Sequence, residues 1–278
     1  MEAQMEYLTT LFNLENKIVL LTGGAGILAG EMAKGLLAAR AQVILLDINQ
    51  ENLERRVADL QVTYPKVFGF VGNVLDEANL IEIRKTILAK YDRIDILINT
   101  AGGNLSKATL EIDQSFFDLK IEQFKKVTDL NLNGTVLPTL IFGKIMADQR
   151  SGSIINISSM ASFKAISRVV GYSAAKAAID NFTRWMAVEL AEKFGNGIRV
   201  NAIAPGFILT EQNRTLLTNP DGSVTPRGRQ IIRMTPFKRF GNPDDLVGTV
   251  IWLASDASQF VTGTVIPVDG GFSISSGV

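Results

Sequence analysis

Tyr172 and Lys176 stand four residues apart in the run Tyr172-Ser173-Ala174-Ala175-Lys176. On a helix that spacing puts both side chains on one face. An ammonium beside a phenol favours the phenolate and draws the tyrosine down from its usual pKa of about 10 toward the working pH. A tyrosine tuned in that way can give or take a proton near neutrality. Ser159 follows the apolar run Ile154-Ile155-Asn156-Ile157. A hydroxyl at the end of such a strand could reach the same oxygen that the tyrosine serves. Tyr-x-x-x-Lys is by itself a weak pattern, equally served by a tyrosine packing its ring on a helix, so the weight rests on what else the chain supplies.

Composition narrows who can do the chemistry. The 278 residues include no histidine and no cysteine. That excludes a Ser-His-Asp triad, thiol chemistry, disulfides and any zinc site built on those ligands, and no metal is expected. Acid–base work falls to Tyr, Lys, Asp or Glu. Basic and acidic residues balance at 28 each, so no global field points to nucleic acid or a membrane surface. The stretch from Met1 to Leu14 lacks a basic start with a long apolar core, and no run of about 18 apolar residues occurs. A soluble, cytoplasmic protein is the expectation.

The elements that must position these residues can be read from apolar runs and turns. Lys17 to Thr22 reads as a buried strand, Gly23-Gly24-Ala25-Gly26 as a tight turn, and a helix begins near Leu28. Strand, glycine turn and helix together let a backbone approach a pyrophosphate beneath a helix N-terminus. A second strand, Gln42 to Leu46, ends in Asp47. A carboxylate there can accept from both ribose hydroxyls of an adenosine and repels a 2′-phosphate, which predicts NAD as cofactor. Strands over Val67 to Val71, Ile94 to Ile98, Ser153 to Ile157, Gly197 to Ile203 and Gly263 to Val268 alternate with helices over Glu51 to Gln61, Glu77 to Tyr91, Gly171 to Phe194 and Pro243 to Leu253. Phe116 to Arg150 contains a long helix with Asn131 in its middle, a position where asparagine is unfavourable by propensity. The alternation predicts an α/β fold, doubly wound around a mostly parallel, Rossmann-like sheet, in one domain covering 1–278. The dinucleotide half would span about 15–150 and the catalytic and substrate half about 151–278. Ligands in such sheets sit beyond the carboxyl ends of the strands. The glycine turn, Asp47, Asn99, Ser159 and Pro205-Gly206 all follow strand ends and should line one rim. Residues 210–237 break the rhythm, with turn signals at Asn219-Pro220-Asp221-Gly222 and Pro226, and read as a lid.

With these residues in hand, the chain resembles the short-chain dehydrogenase/reductase family over nearly its whole length. The matching motifs are Thr22-Gly23 with the glycine turn, Asn99-x-Ala101-Gly102, Asn131, Ser159 with Tyr172-x-x-x-Lys176, and Pro205-Gly206 followed by Thr210. The resemblance implies a catalytic set of Asn131, Ser159, Tyr172 and Lys176. Tyr172 would exchange the proton, Ser159 hold the substrate oxygen, Lys176 hold the nicotinamide ribose, and Asn131 hold a water that relays protons from Lys176. It implies a cofactor site formed by Gly23, Gly26, Ile27, Leu28, Asp47, Asn73, Val74, Asn99, Ala101, Gly102, Tyr172, Lys176, Pro205, Gly206, Ile208 and Thr210. Asn99 and Gly102 would border the adenosine, and Ile203 and Thr210 flank the carboxamide. The chain departs from the usual pattern at Ile27 and Ala29, where glycines are common, at Asn73 for an aspartate, and at Thr100 for an asparagine. The motifs around Gly103-Asn104, Phe116-Phe117-Asp118, 206–214 and Asp269-Gly270-Gly271 resemble a sugar-acid subgroup, with other polyol or keto-acid reductases, or a catalytically silent dinucleotide binder, as alternatives. A sugar acid carries a carboxylate, so its pocket should offer a cation, best an arginine. Gly103, Asn104, Arg168 and Arg214 are the candidate substrate residues, with Lys107 nearby. A homotetramer is implied by the resemblance.

Overall fold

The apolar runs form strands because β-branched residues and leucines fill a pleated surface that is covered on both faces. In the computed structural model, which describes residues 2–276 except the side chains of 2–6, 211 and 212, these are β1 (Ile18–Thr22), β2 (Gln42–Asp47), β3 (Val67–Val71), β4 (Ile96–Asn99), β5 (Gly152–Ile157), β6 (Ile198–Pro205) and β7 (Val265–Val268). They join one seven-stranded sheet in the order β3-β2-β1-β4-β5-β6-β7. Every neighbouring pair is parallel, where the sequence led us to expect a mostly parallel sheet.

The helices are α1 (Glu2–Leu11), α2 (Ile27–Ala38), α3 (Gln50–Gln61), α4 (Glu77–Tyr91), α5 (Ile121–Thr128), α6 (Gly134–Gln149), α7 (Val170–Phe194), α8 (Glu211–Leu217), α9 (Pro226–Met234) and α10 (Val247–Ala254). Successive strand residues point to opposite faces, which splits the core into two layers. Val19 and Leu21 of β1 join Met32, Leu36, Leu53 and Leu253 from α2, α3 and α10. Ile18 and Leu20 join Leu80, Phe142 and Leu190 from α4, α6 and α7. Each such side chain contributes about 1.5–3 kcal/mol by leaving water.

Strand order reverses between β1 and β4, the topological switch point at which a crevice opens beyond the carboxyl ends. Three elements differ from expectation. The long helix over 116–150 is broken into a 3₁₀ turn (Phe116–Asp118), α5, a π-turn (Asp129–Asn133) and α6. The region 210–237 contains two short helices, α8 and α9, joined through a Thr218–Val224 bridge around the Asp221-Gly222 turn. The helix α1 was not anticipated: among its described side chains, the apolar Tyr7 and Leu8 are largely exposed.

Candidate active site

The loops after β1 and β4 are built against each other. Thr22 Oγ1 accepts from the amides of Thr100 (3.1 Å) and Ala101 (3.2 Å). Gly23 turns with φ +64°, and a Cβ there would lie 2.8 Å from the Ala101 Cα. The contact therefore requires glycine. Gly26 is the N-cap of α2 and offers no side chain to its amides. The first-turn N–H groups, including those of Ile27 and Leu28, are left facing the crevice as donors for an anion.

Asp47 ends β2 as expected, and its carboxylate is already engaged. One oxygen accepts from the Ala25 amide at 3.0 Å and the other from Asn49 at 2.9 Å. It thus ties the glycine turn to β2, and each oxygen keeps a further lone pair for a ribose hydroxyl. Thr100 Oγ1, in the facing loop, is buried without a protein partner, and groups of that kind are satisfied by water or ligand. The glycine turn, the uncapped α2 amides, Asp47 and this orphaned hydroxyl fit a dinucleotide.

At four of the expected cofactor positions the side chain is engaged or buried within the protein. Asn99 is 1% exposed and points inward, donating to Thr139 and Asn156 (both 2.9 Å), so its side chain holds strands together and only its backbone borders the crevice. Asn73 Oδ1 accepts from the Leu75 amide at 2.9 Å in a local turn, because an asparagine side chain closes on its own backbone two residues on. Val74 is buried and meets Gly134, leaving its backbone alone to line a ligand. Ile203 is wholly buried inside β6. Beyond β6, Gly206 donates to the Val268 carbonyl at 2.9 Å, Ile208 is buried, and Thr210 caps α8 in a capping box with Asn213.

The candidate reaction centre lies where β5 ends against α7. Lys176 is 4% exposed, and its Nζ donates to the Ile157 carbonyl at 2.7 Å. The same Nζ lies 5.5 Å from the Tyr172 ring centre. The Ser159 hydroxyl accepts from the Ala161 amide at 3.1 Å and lies near enough to the Tyr172 phenol to act on it. Burial pushes the tyrosine pKa up from its usual 10, and the Ser159 hydroxyl pulls it partly back. This corrects the expectation that Lys176 dominates: the ammonium points past the ring to a carbonyl, and desolvation of the phenolate prevails. Burial also lowers Lys176 from 10.5 to about 8, against the pull of Asp180.

Asn131 does interrupt its helix. It sits in the π-turn between α5 and α6, fully buried, with Nδ2 donating to the carbonyls of Gly103 and Val127 (both 2.8 Å) and Oδ1 accepting from the Gly103 amide at 3.0 Å. That clamp holds the loop after β4 over the site. A Cβ on Gly102 would lie 2.7 Å from Asn131 Oδ1 and 3.7 Å from Lys176 Nζ.

Of the substrate candidates, Gly103 faces open space and sits beside the reaction centre through Asn131. Asn104 donates to Thr109 at 2.5 Å. Arg168 is not a free cation: its guanidinium holds the Leu110 carbonyl and pairs with Glu111. Arg214 and Lys107 are exposed, the former on α8. Sequence reasoning missed two residues. Asp180 repeats the four-residue spacing of Tyr172 and Lys176 and lies on their helix face. Arg227, in the first turn of α9, is half-buried, is pushed down by that burial and then by the nearby Arg168 charge, and has no ion pair among the described residues. The repeated spacing could have singled out Asp180, whereas no motif marks Arg227 in the sequence. Among the described residues no group of three or more acidic side chains is placed to hold a metal.

Comparison with known proteins follows the same lines. A family model described as enoyl-(acyl carrier protein) reductase matches residues 24–273. An uncharacterised oxidoreductase of Bacillus subtilis is 43% identical over 275 residues, covering 96% of this chain and 98% of the relative. A crystal structure from Haemophilus influenza, provisionally named a D-mannonate oxidoreductase and containing bound NAD, superposes with a TM-score of 0.89 at 41% identity, covering 98% of this chain and 100% of that one. A gluconate 5-dehydrogenase from Burkholderia cenocepacia, in complex with NADP and tartrate, gives a TM-score of 0.84 at 28% identity over 96% of this chain and 98% of that one. The parallel sheet, the dinucleotide crevice at its switch point and full-length likeness to these enzymes agree: the chain belongs to the short-chain dehydrogenase/reductase family of nicotinamide-dependent oxidoreductases.

Proposed function

We propose that the protein transfers a hydride between NAD(H) and a sugar acid, interconverting D-fructuronate and D-mannonate. The observation that carries a redox role is the gathering of the Ser159 hydroxyl and the buried Lys176 ammonium around the Tyr172 side chain. When bound, the nicotinamide supplies or accepts the hydride. In reduction, Ser159 donates a hydrogen bond to the ketone oxygen and Tyr172 gives that oxygen its phenolic proton. Lys176 stabilises the phenolate left behind. In oxidation Tyr172 takes the proton back. Asn131 keeps Gly103 in place, and a water held near it returns protons through Lys176. Asp47 favours NAD, because a 2′-phosphate would meet a carboxylate whose oxygens already anchor the glycine turn. In this reading residues 15–150 hold the dinucleotide and 151–278 carry most of the reaction centre.

The sugar-acid substrate is supported by the likeness to the Haemophilus structure and by an arginine without an acidic partner. Arg227 is offered as the residue that meets the substrate carboxylate, with Arg168 held beside it by Glu111. A charge-assisted pair is worth about 1.5–3 kcal/mol. Arg227→Met should therefore raise KM for the acid by roughly tenfold or more, with kcat changed less. The decisive measurement is a panel of D-fructuronate, 5-keto-D-gluconate and an acetoacetyl thioester with NADH. Fructuronate should give the highest kcat/KM; faster turnover of the thioester would exclude the reading. Likeness to the gluconate 5-dehydrogenase favours a second reading, in which the keto-gluconate leads.

A further inference from the structure

Asp180 is 5% exposed, one turn beyond Lys176 on α7, and it has no salt bridge within ion-pair distance among the described residues. A buried carboxylate is costly unless hydrogen bonds and a counter-charge hold it. Its bonded partner is the Ser158 hydroxyl, itself 1% exposed, which also lies 3.4 Å from the Ser162 hydroxyl. Ser158 stands between Ile157, whose carbonyl accepts from Lys176, and Ser159, which meets the Tyr172 phenol. One carboxylate is therefore connected to both sides of the reaction centre: by charge to the lysine on its own helix, and by a hydroxyl to the strand end that carries the serine.

We propose that Asp180 is a positioning residue of the reaction, the counter-charge of the Lys176 ammonium and the anchor, through Ser158, of the strand end that presents Ser159. The titratable groups that face Lys176 are Tyr172 and Asp180 on α7; the ends of β4 and β5 and the π-turn present Gly102, Ile157, Ser158, Ser159 and Asn131, none of which titrates. The phenol is neutral until it gives up its proton, so among these titratable groups Asp180 supplies the opposing charge, beside the neutral Ile157 carbonyl that accepts from the ammonium. The lysine stands near 8 with that help. Without it, the ammonium would be lost at lower pH, and the reductive rate, which needs the charged lysine, would fall earlier as pH rises.

The test is Asp180→Asn in the full chain, read in two ways. The first is the pH profile of kcat for reduction of the acid that the wild type turns over best with NADH. The alkaline limb should move to lower pH by about one unit, and Asp180→Glu should restore it. The second needs no substrate. A lysine depressed in the folded state and ordinary in the unfolded one makes the unfolded chain hold more protons between the two values. Wild-type stability should therefore gain a component that rises with pH from about 8 to about 10.5. In Asp180→Asn that rise should begin lower. A purely structural role would lower the melting temperature at every pH and leave both bends where they were, and that result would overturn the proposal. If Asp180→Asn does not fold, Asp180→Ser, which keeps a hydroxyl for Ser158 without the charge, is held to the same two outcomes. Failure of the wild type to reduce any sugar acid would count against the proposed substrate and leave the melting test intact.

Discussion

In the proposed reaction Tyr172 must gain and lose charge in a place that resists charge. Burial raises its pKa, and the nearest polar help is the Ser159 hydroxyl. Its proton therefore leaves only with a second charge close by, and the Lys176 ammonium lies 5.5 Å from the ring centre. Tyr172→Phe keeps the ring and removes the proton, so kcat should fall by about 10²–10⁴-fold with dinucleotide binding retained. Stopped-flow turnover beside NADH fluorescence titration checks both. A wild type no more active than the mutant would make the chain a silent dinucleotide binder. At the cofactor end, Asp47→Ala removes the charge that would repel a 2′-phosphate and also frees the Ala25 amide. The ratio of kcat/KM for NADH over NADPH should drop by about tenfold or more, with some loss for both cofactors. These residue types and spacings were legible in the sequence. Their partners were not: Asn99 turns inward, Arg168 is taken by Glu111, and Asp180 becomes meaningful only beside Ser158.

Two local devices position the site. The turn after β1 needs a positive φ and the absence of a Cβ at one residue, because the loop after β4 passes within contact of it. Gly23→Ala should cost about 1–3 kcal/mol of stability and weaken dinucleotide binding, measurable by urea unfolding and by titration with NADH. The π-turn is the second device. Asn131 satisfies three backbone groups across it, two of them on Gly103. Asn131→Leu would leave those groups buried and unpaired, at about 1–3 kcal/mol each. It should lower kcat through a loosened Gly102–Gly103 loop, with more proteolysis or hydrogen exchange near residue 103 than in the wild type. An asparagine in mid-helix announced an irregularity in the sequence. The extra residue per turn that absorbs it is a tertiary outcome, set by the Gly103 backbone that the side chain reaches.

The whole molecule is a parallel sheet whose two faces are both covered, and no helix of the described residues is long and apolar enough to cross a membrane. Its outer surface nonetheless carries apolar side chains: Leu140 on α6 is 62% exposed, and Trp185 and Val188 on α7 are 59% and 58% exposed. Isolated exposed apolar groups are ordinary, but these lie on the two helices that carry or flank the reaction centre. We expect them to pair between subunits in a homotetramer. Light scattering should give four times the mass of the chain, and Trp185→Lys should shift the population to smaller species. A wild-type monomer would remove the expectation.

The sequence by itself determined the alternation of strands and helices, the rim on which the candidate site had to lie, and the choice of a tyrosine, a lysine and a serine as candidates. Those follow from local periodicity, turn chemistry and residue type, each of which acts within a few neighbours along the chain. Only the tertiary structure decided where the ammonium points, that Arg227 stands half-buried near Arg168, and that an aspartate one turn beyond the lysine stands against the strand carrying the serine. Such pairings join residues far apart in sequence, and their strength depends on burial, which no short stretch of sequence encodes.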